Sequence, residues 1–65
     1  MKLDINKISI ILVNKSMNFE DLRKKANISI QTLSNIKSGK NVSLDTAIKI
    51  TKALNIDAED IFLNE

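Results

Sequence analysis

The sequence predicts an all-α fold, a compact bundle of five short helices packed orthogonally within a single domain of residues 1–65. Three observations carry that prediction. Apolar residues recur three and four positions apart through most of the chain, the spacing of one helical face. Each such stretch follows an Asp, Asn or Ser, side chains that accept from the free amides at a helix start. With no proline and one glycine, the chain carries few other breaks, so caps set the boundaries.

Helix 1 starts after Asp4 or Asn6, either of which can cap it, and places Ile5, Ile8, Ile11 and Leu12 at helical spacing. The run Ile8-Ser9-Ile10-Ile11-Leu12-Val13 is rich in β-branched residues and by itself favours a strand. A lone strand among helices would have no pairing partner, so the helix is preferred. Lys15-Ser16-Met17 is the first break. Asn18 caps helix 2, Glu20 and Asp21 sit in its first turn where negative charge suits the dipole, and Leu22 and Ala26 face inward. Asn27 is the turn residue, since Asn tolerates the left-handed conformation that ends a helix. Ile28 plugs the turn. Ser29 caps helix 3, about Ile30 to Lys37, with Leu33 and Ile36 buried. Gly39 is its left-handed stop. Ser43 caps helix 4, whose inward stripe is Leu44, Ala47, Ile50, Thr51 and Leu54, and Asn55 ends it. Asp57 caps a short helix 5, with Asp60 in the capping-box position and Ile61 and Phe62 folding back onto the core.

Composition excludes several function classes. No Cys and no His leave no disulfide and almost no soft-metal site, and no cofactor is expected. The lack of His and Cys argues against an enzyme, since the acids cluster in caps and the last helix, where capping accounts for them. The Met1-Lys2-Leu3-Asp4 start has no signal-peptide character, and no apolar run approaches the roughly 20 residues of a membrane span. The cytoplasm is the expected compartment, with no membrane partner and no small-molecule ligand. Two aromatics, Phe19 and Phe62, are too few for a surface that stacks single-stranded bases. The net charge of +2 divides unevenly: residues 1–43 carry +5 and residues 44–65 carry −3. Phosphate attraction needs local positive charge, which the first part supplies.

Helices 2 and 3, joined by a tight turn, have the layout of a helix-turn-helix that lays its second helix in the DNA major groove. The outer face of helix 3 holds Ile30, Gln31, Ser34, Asn35 and Lys37. Gln31 is the best candidate for direct readout, because a Gln amide pairs bidentately with adenine, and Asn35 lies one turn further on the same side. Ser34 is small enough for close approach. Ile30 either meets a thymine methyl or packs against the start of helix 2. The expected backbone contacts are Asn18, Arg23, Ser29, Thr32, Lys37, Lys40 and Asn41. Lys24 and Lys25 either join them or face solvent behind helix 2.

The order of these signals resembles the Cro/CI-type (XRE) helix-turn-helix regulators of bacteria and phage over about residues 4–63. The matching pieces are Asn18, Glu20, Asp21 and Leu22; Asn27-Ile28-Ser29; Leu33 and Ile36; Gly39-Lys40; Ser43-Leu44-Asp45-Thr46 with Ile50 and Ala53-Leu54; and Asn55-Ile56-Asp57 with Ile61. The resemblance implies a lambda-repressor-like fold and a small repressor or Cro-like protein. It would bind double-stranded operator DNA as a homodimer, either preformed or formed only on DNA. Three departures stand out. Phe19 occupies a position where the family usually has a Gln that touches DNA backbone. Arg23 sits where a small residue lets helices 2 and 3 approach, so its guanidinium must reach the surface, to find a phosphate or to widen the crossing. Leu12 and Lys37 stand where some phage members carry an Arg–Glu pair.

Ile10, Val13, Ile48 and Leu63 lie off the inward stripes, as a dimer interface or as scattered surface apolar residues. The family often builds its dimer near the last helix, which points to Ile61, Phe62 and Leu63. The chain ends just after helix 5, so no attached sensor, protease or oligomerisation domain is expected. An alternative function is an antitoxin or anti-regulator that uses the same fold to bind a protein, favoured by the apolar surplus on helix 1. A further rival is an interaction module with no DNA role.

Overall fold

The computed structural model describes residues 1–63 and contains four α-helices: α1 (Ile5–Asn14), α2 (Phe19–Ala26), α3 (Ile30–Lys37) and α4 (Leu44–Leu54). The start of each is set by the side chain at its cap. The Asp4 carboxylate accepts from the N–H groups of Asn6 and Lys7 at 3.0 and 3.3 Å, so Asp4 rather than Asn6 opens α1. Asn18 and Asp21 close a reciprocal capping box at α2, with bonds of 2.8 and 3.0 Å. Ser29 and Ser43 accept from the amides of Thr32 and Thr46 at 3.0 and 3.1 Å.

All four helices stop in the same way. A left-handed residue follows each one: Ser16, Asn27, Gly39 and Asn55, with φ of 57°, 57°, 77° and 55°. The next residue then donates its N–H back to the helix, as in Met17 to Leu12, Ile28 to Arg23, Lys40 to Asn35 and Ile56 to Thr51, at 2.9 to 3.1 Å. This doubly bonded stop satisfies carbonyls that the helix leaves open, and it usually brings an apolar residue back onto the last turn. Ile28 is buried there and Met17 and Ile56 are half-buried. Lys40 is the exception, exposed in the place where the other three stops put an apolar side chain.

The expected fifth helix is a single 3-10 turn, Ala58–Asp60. Pairing at the chain ends explains the difference. Leu3 and Phe62 form an isolated antiparallel bridge, Asp4 N–H donates to the Ile61 carbonyl at 2.7 Å, and Leu63 N–H donates to the Lys2 carbonyl at 3.1 Å. Those bonds turn the chain at Ile61, with φ −127° and ψ −3°, and pair residues 61–63 with the N-terminal segment, so a helix begun at Asp57 cannot continue. On its other side the N-terminal segment meets the α3–α4 loop, where Val42 N–H donates to the Met1 carbonyl at 2.8 Å.

The core is wholly apolar among the described residues: Leu3, Ile8, Leu12, Leu22, Ala26, Ile28, Leu33, Ile36, Ala47, Ile50, Leu54 and Ile61. Burial of Leu3 was not foreseen. Leu44, expected in the inward stripe of α4, is 62% exposed. It is the first residue of α4, ahead of the turn where Ala47, Ile50 and Leu54 meet the other helices. Thr51 is only half-buried, its hydroxyl donating to the Ile48 carbonyl at 3.0 Å. Ile10 and Val13 stand out on α1 at 61% and 75% exposure. None of the described helices is long and apolar enough to cross a membrane.

Candidate nucleic-acid interface

The turn Asn27-Ile28-Ser29 sets α3 against α2 by burying Ile28 while Asn27 reverses the chain. Leu33 and Ile36 then anchor the inner side of α3 in the core. That anchoring turns Ile30, Gln31, Ser34 and Lys37 outward, all exposed, with Thr32 and Asn35 half-buried at the margin. Ile30 is 72% exposed, which decides against its packing on the start of α2. A shallow groove lined by Ile30, Leu33, Ser34, Lys37 and Ser38 runs along this face.

The polar groups on α3 are already organised. Gln31 Nε2 donates to Asn35 Oδ1 at 3.1 Å. One Gln31 N–H and its Oε1 then stay open, one donor and one acceptor, which is the pair that adenine N7 and N6 require. Asn35 keeps both of its own N–H donors unpaired among the described residues. The Ser38 hydroxyl donates to the Ser34 backbone carbonyl at 2.9 Å, and the separate Ser34 hydroxyl has no partner among the described residues. The Ser29 and Thr32 hydroxyls lie 2.8 Å apart and bond each other, so both are held at the N-terminus of α3.

The flanking cations and amides differ in their freedom. Lys37 Nζ lies 5.2 Å from the centre of the Phe19 ring, within cation–π range. Lys40 is held by its own N–H bond to the Asn35 carbonyl at 3.0 Å, while Asn41 is exposed beside it. Asn18 spends its side-chain oxygen on the cap and keeps its NH2 group. Lys24 and Lys25 are exposed on α2.

Arg23 is half-buried and reaches outward as expected, but its guanidinium is taken by a neighbour on its own helix. Its Nε donates to Glu20 Oε1 at 2.9 Å and its second nitrogen to the same oxygen. The bond from Arg23 holds the Glu20 carboxyl below the usual carboxylate range and holds the Arg23 guanidinium above its own. A phosphate contact by Arg23 would have to compete with Glu20.

Of the three residues expected at a dimer contact, Ile61 is fully buried in the monomer and has no surface to offer. Its carbonyl bond to Asp4 and its place in the core explain why. Phe62 is half-buried and Leu63 is 43% exposed. Leu63 adjoins the N-terminal segment, whose Met1 is 45% exposed. Sequence reasoning marked Phe19 only as a departure and did not place its ring under Lys37. No local signal links residues so far apart in the chain.

Comparisons with known proteins agree with the helix-turn-helix fold. The family model described as a Cro/C1-type HTH DNA-binding domain matches residues 7–63. An uncharacterized HTH-type transcriptional regulator of Methanocaldococcus jannaschii, MJ0272, is 39% identical over 61 residues, spanning 92% of each chain. The crystal structure of the transcriptional regulator VanUg superposes with a TM-score of 0.84 at 30% identity, covering 92% of this chain and 80% of that one.

Proposed function

The chain belongs to the Cro/C1-type helix-turn-helix DNA-binding family, and from that premise we propose that it is a sequence-specific regulator that reads operator DNA with α3. It acts in the cytoplasm as a homodimer, placing two copies of α3 in major grooves about 34 Å apart. Repression by occupancy of the operator is the expected output, as in a repressor or Cro-like protein. The observation that carries the reading is the outer side of α3. Gln31, Ser34 and Ile30 are exposed there, Asn35 is half-buried and bonded to Gln31, and Lys37 and Lys40 flank them.

Each residue then has a role set by its chemistry. Gln31 pairs with adenine, Asn35 donates to an adjacent base edge, Ser34 permits close approach and Ile30 meets a thymine methyl. Asn18, Ser29, Thr32, Lys37, Lys40 and Asn41 hold phosphates and fix the register. Arg23 joins them only if DNA displaces Glu20. Phe62 and Leu63, extended by Met1, form the dimer contact. A subunit extends 28 × 22 × 18 Å, so two side by side can span one turn of duplex.

A second reading is that of an antitoxin or anti-regulator, favoured by the exposed Ile10 and Val13 on α1 and the apolar groove of Ile10, Ile11 and Ile56 between Lys7 and Asp60. Selection of bound duplexes from a random library separates the two. The DNA-reading proposal expects an enriched, two-fold symmetric motif with half-sites about one helical turn apart. No enrichment, together with no binding of any duplex at low salt, would refute it.

A further inference from the structure

We infer that Phe19 is a positioning residue for DNA binding, one that presets the Lys37 ammonium for a phosphate at the junction of α2 and α3. The inference rests on the DNA-reading proposal above and adds a mechanism to it. A phenyl ring at position 19 has no N–H or O–H to offer a phosphate. The ring instead lies half-buried at the first turn of α2, partly packed on the core, with the Lys37 ammonium 5.2 Å from its centre. The Lys37 side chain thus reaches from the last turn of α3 to the first turn of α2. It crosses the groove edge shared with Ile30 and Ser34.

Three features make the ring a guide for Lys37 and keep the contact from becoming a permanent partner. Lys37 remains exposed, and no carboxylate pairs with it among the described residues. Both acids of α2 are engaged elsewhere, Glu20 by the Arg23 guanidinium and Asp21 by the Asn18 N–H. A cation held over an aromatic face keeps its N–H donors on the far side for an anion, whereas an ion pair would use them. A free lysine loses side-chain rotamer freedom when it meets a phosphate, and a lysine already restrained by the ring loses less.

A double-mutant cycle in DNA binding tests this, using the full chain and a duplex taken from the selection. Phe19→Leu should weaken binding about two- to five-fold, within the ordering cost of one long side chain. Phe19→Trp should restore it. Lys37→Ala should weaken binding further and lower the salt slope by about one phosphate contact. The deciding result is that Phe19→Leu has no additional effect in the Lys37→Ala background. In the free protein, the Lys37 ε-methylene protons should show an upfield ring-current shift that Phe19→Leu abolishes. Circular dichroism of each variant checks that it is folded. Equal losses from Phe19→Leu in both backgrounds, or an unshifted Lys37 resonance, would overturn the inference while leaving DNA reading intact. Failure of the unmodified chain to bind any duplex would overturn the underlying proposal and this inference with it.

Discussion

Replacing Gln31 with Ala is the sharpest perturbation of the proposed reading surface. Gln31 is exposed, and its one bond within the protein is to the Asn35 side chain. Losing such a bond costs the fold about 0.5–1.5 kcal/mol at most, and Ala returns part of that as the better helix former. The variant should therefore melt within a few degrees of the parent. At the interface the loss is larger. A bidentate amide–adenine pair discriminates against the wrong base by about 1–3 kcal/mol, so affinity for the preferred duplex should fall roughly 5- to 150-fold per half-site. Duplexes already mismatched at that base pair should bind the variant about as well as they bind the parent. The salt dependence should not change, because no charge is removed. Fluorescence anisotropy across a panel of single base-pair variants reads all of this. An equal loss on every duplex in the panel would refute base readout by Gln31, and so would no loss on the preferred one.

Other expectations concern the edges of the site and the fold beneath it. Lys40→Ala should weaken all duplexes alike and flatten the plot of log affinity against log salt by about one contact, as anisotropy at several salt concentrations will report. Ile61→Ala removes a fully buried side chain and should cost about 2–5 kcal/mol, a large share of the roughly 3–10 kcal/mol available to a chain of this length. Urea denaturation at two protein concentrations would reveal whether that loss belongs to the monomer, as the burial of Ile61 requires. Glu20 should titrate below the usual carboxylate range because Arg23 donates to its carboxylate. Its folded value is depressed, so its contribution to stability is present above the ordinary glutamate range and is lost as pH falls through the lowered value. Carbon-detected NMR titration should show Glu20 returning to an ordinary value in Arg23→Ala.

The helices were legible because their signals are local. Asn18, Ser29 and Ser43 act as caps, and Asn27, Gly39 and Asn55 take the left-handed conformation, each within a few residues of what it controls. The outward face of α3 followed from the same period that buries Leu33 and Ile36. Ser16 was harder, since serine carries no special preference for positive φ, although it ends α1 in the same manner. The chain ends were not legible. A bridge between Leu3 and Phe62 has no periodicity to read, yet it buries Leu3 and Ile61 and cuts the last helix to one turn. Leu44 misled because its spacing fits the stripe of α4 while its place at the first helical position lies beyond the packing surface. Within the site, the Gln31–Asn35 bond was implicit in their four-residue spacing. The pairing of Arg23 with Glu20 was equally local, but the expectation for Arg23 looked outward to phosphate.

The central claim is that bases are met by the outer face of α3, and side-chain NMR during titration with a selected duplex tests it most directly. Base contact by α3 should move the Gln31 and Asn35 amide signals and the Ile30 methyl signals most, while the Ile10 and Val13 methyls of α1 stay in place. Perturbations concentrated on α1, with the Gln31 and Asn35 amides unmoved, would contradict it.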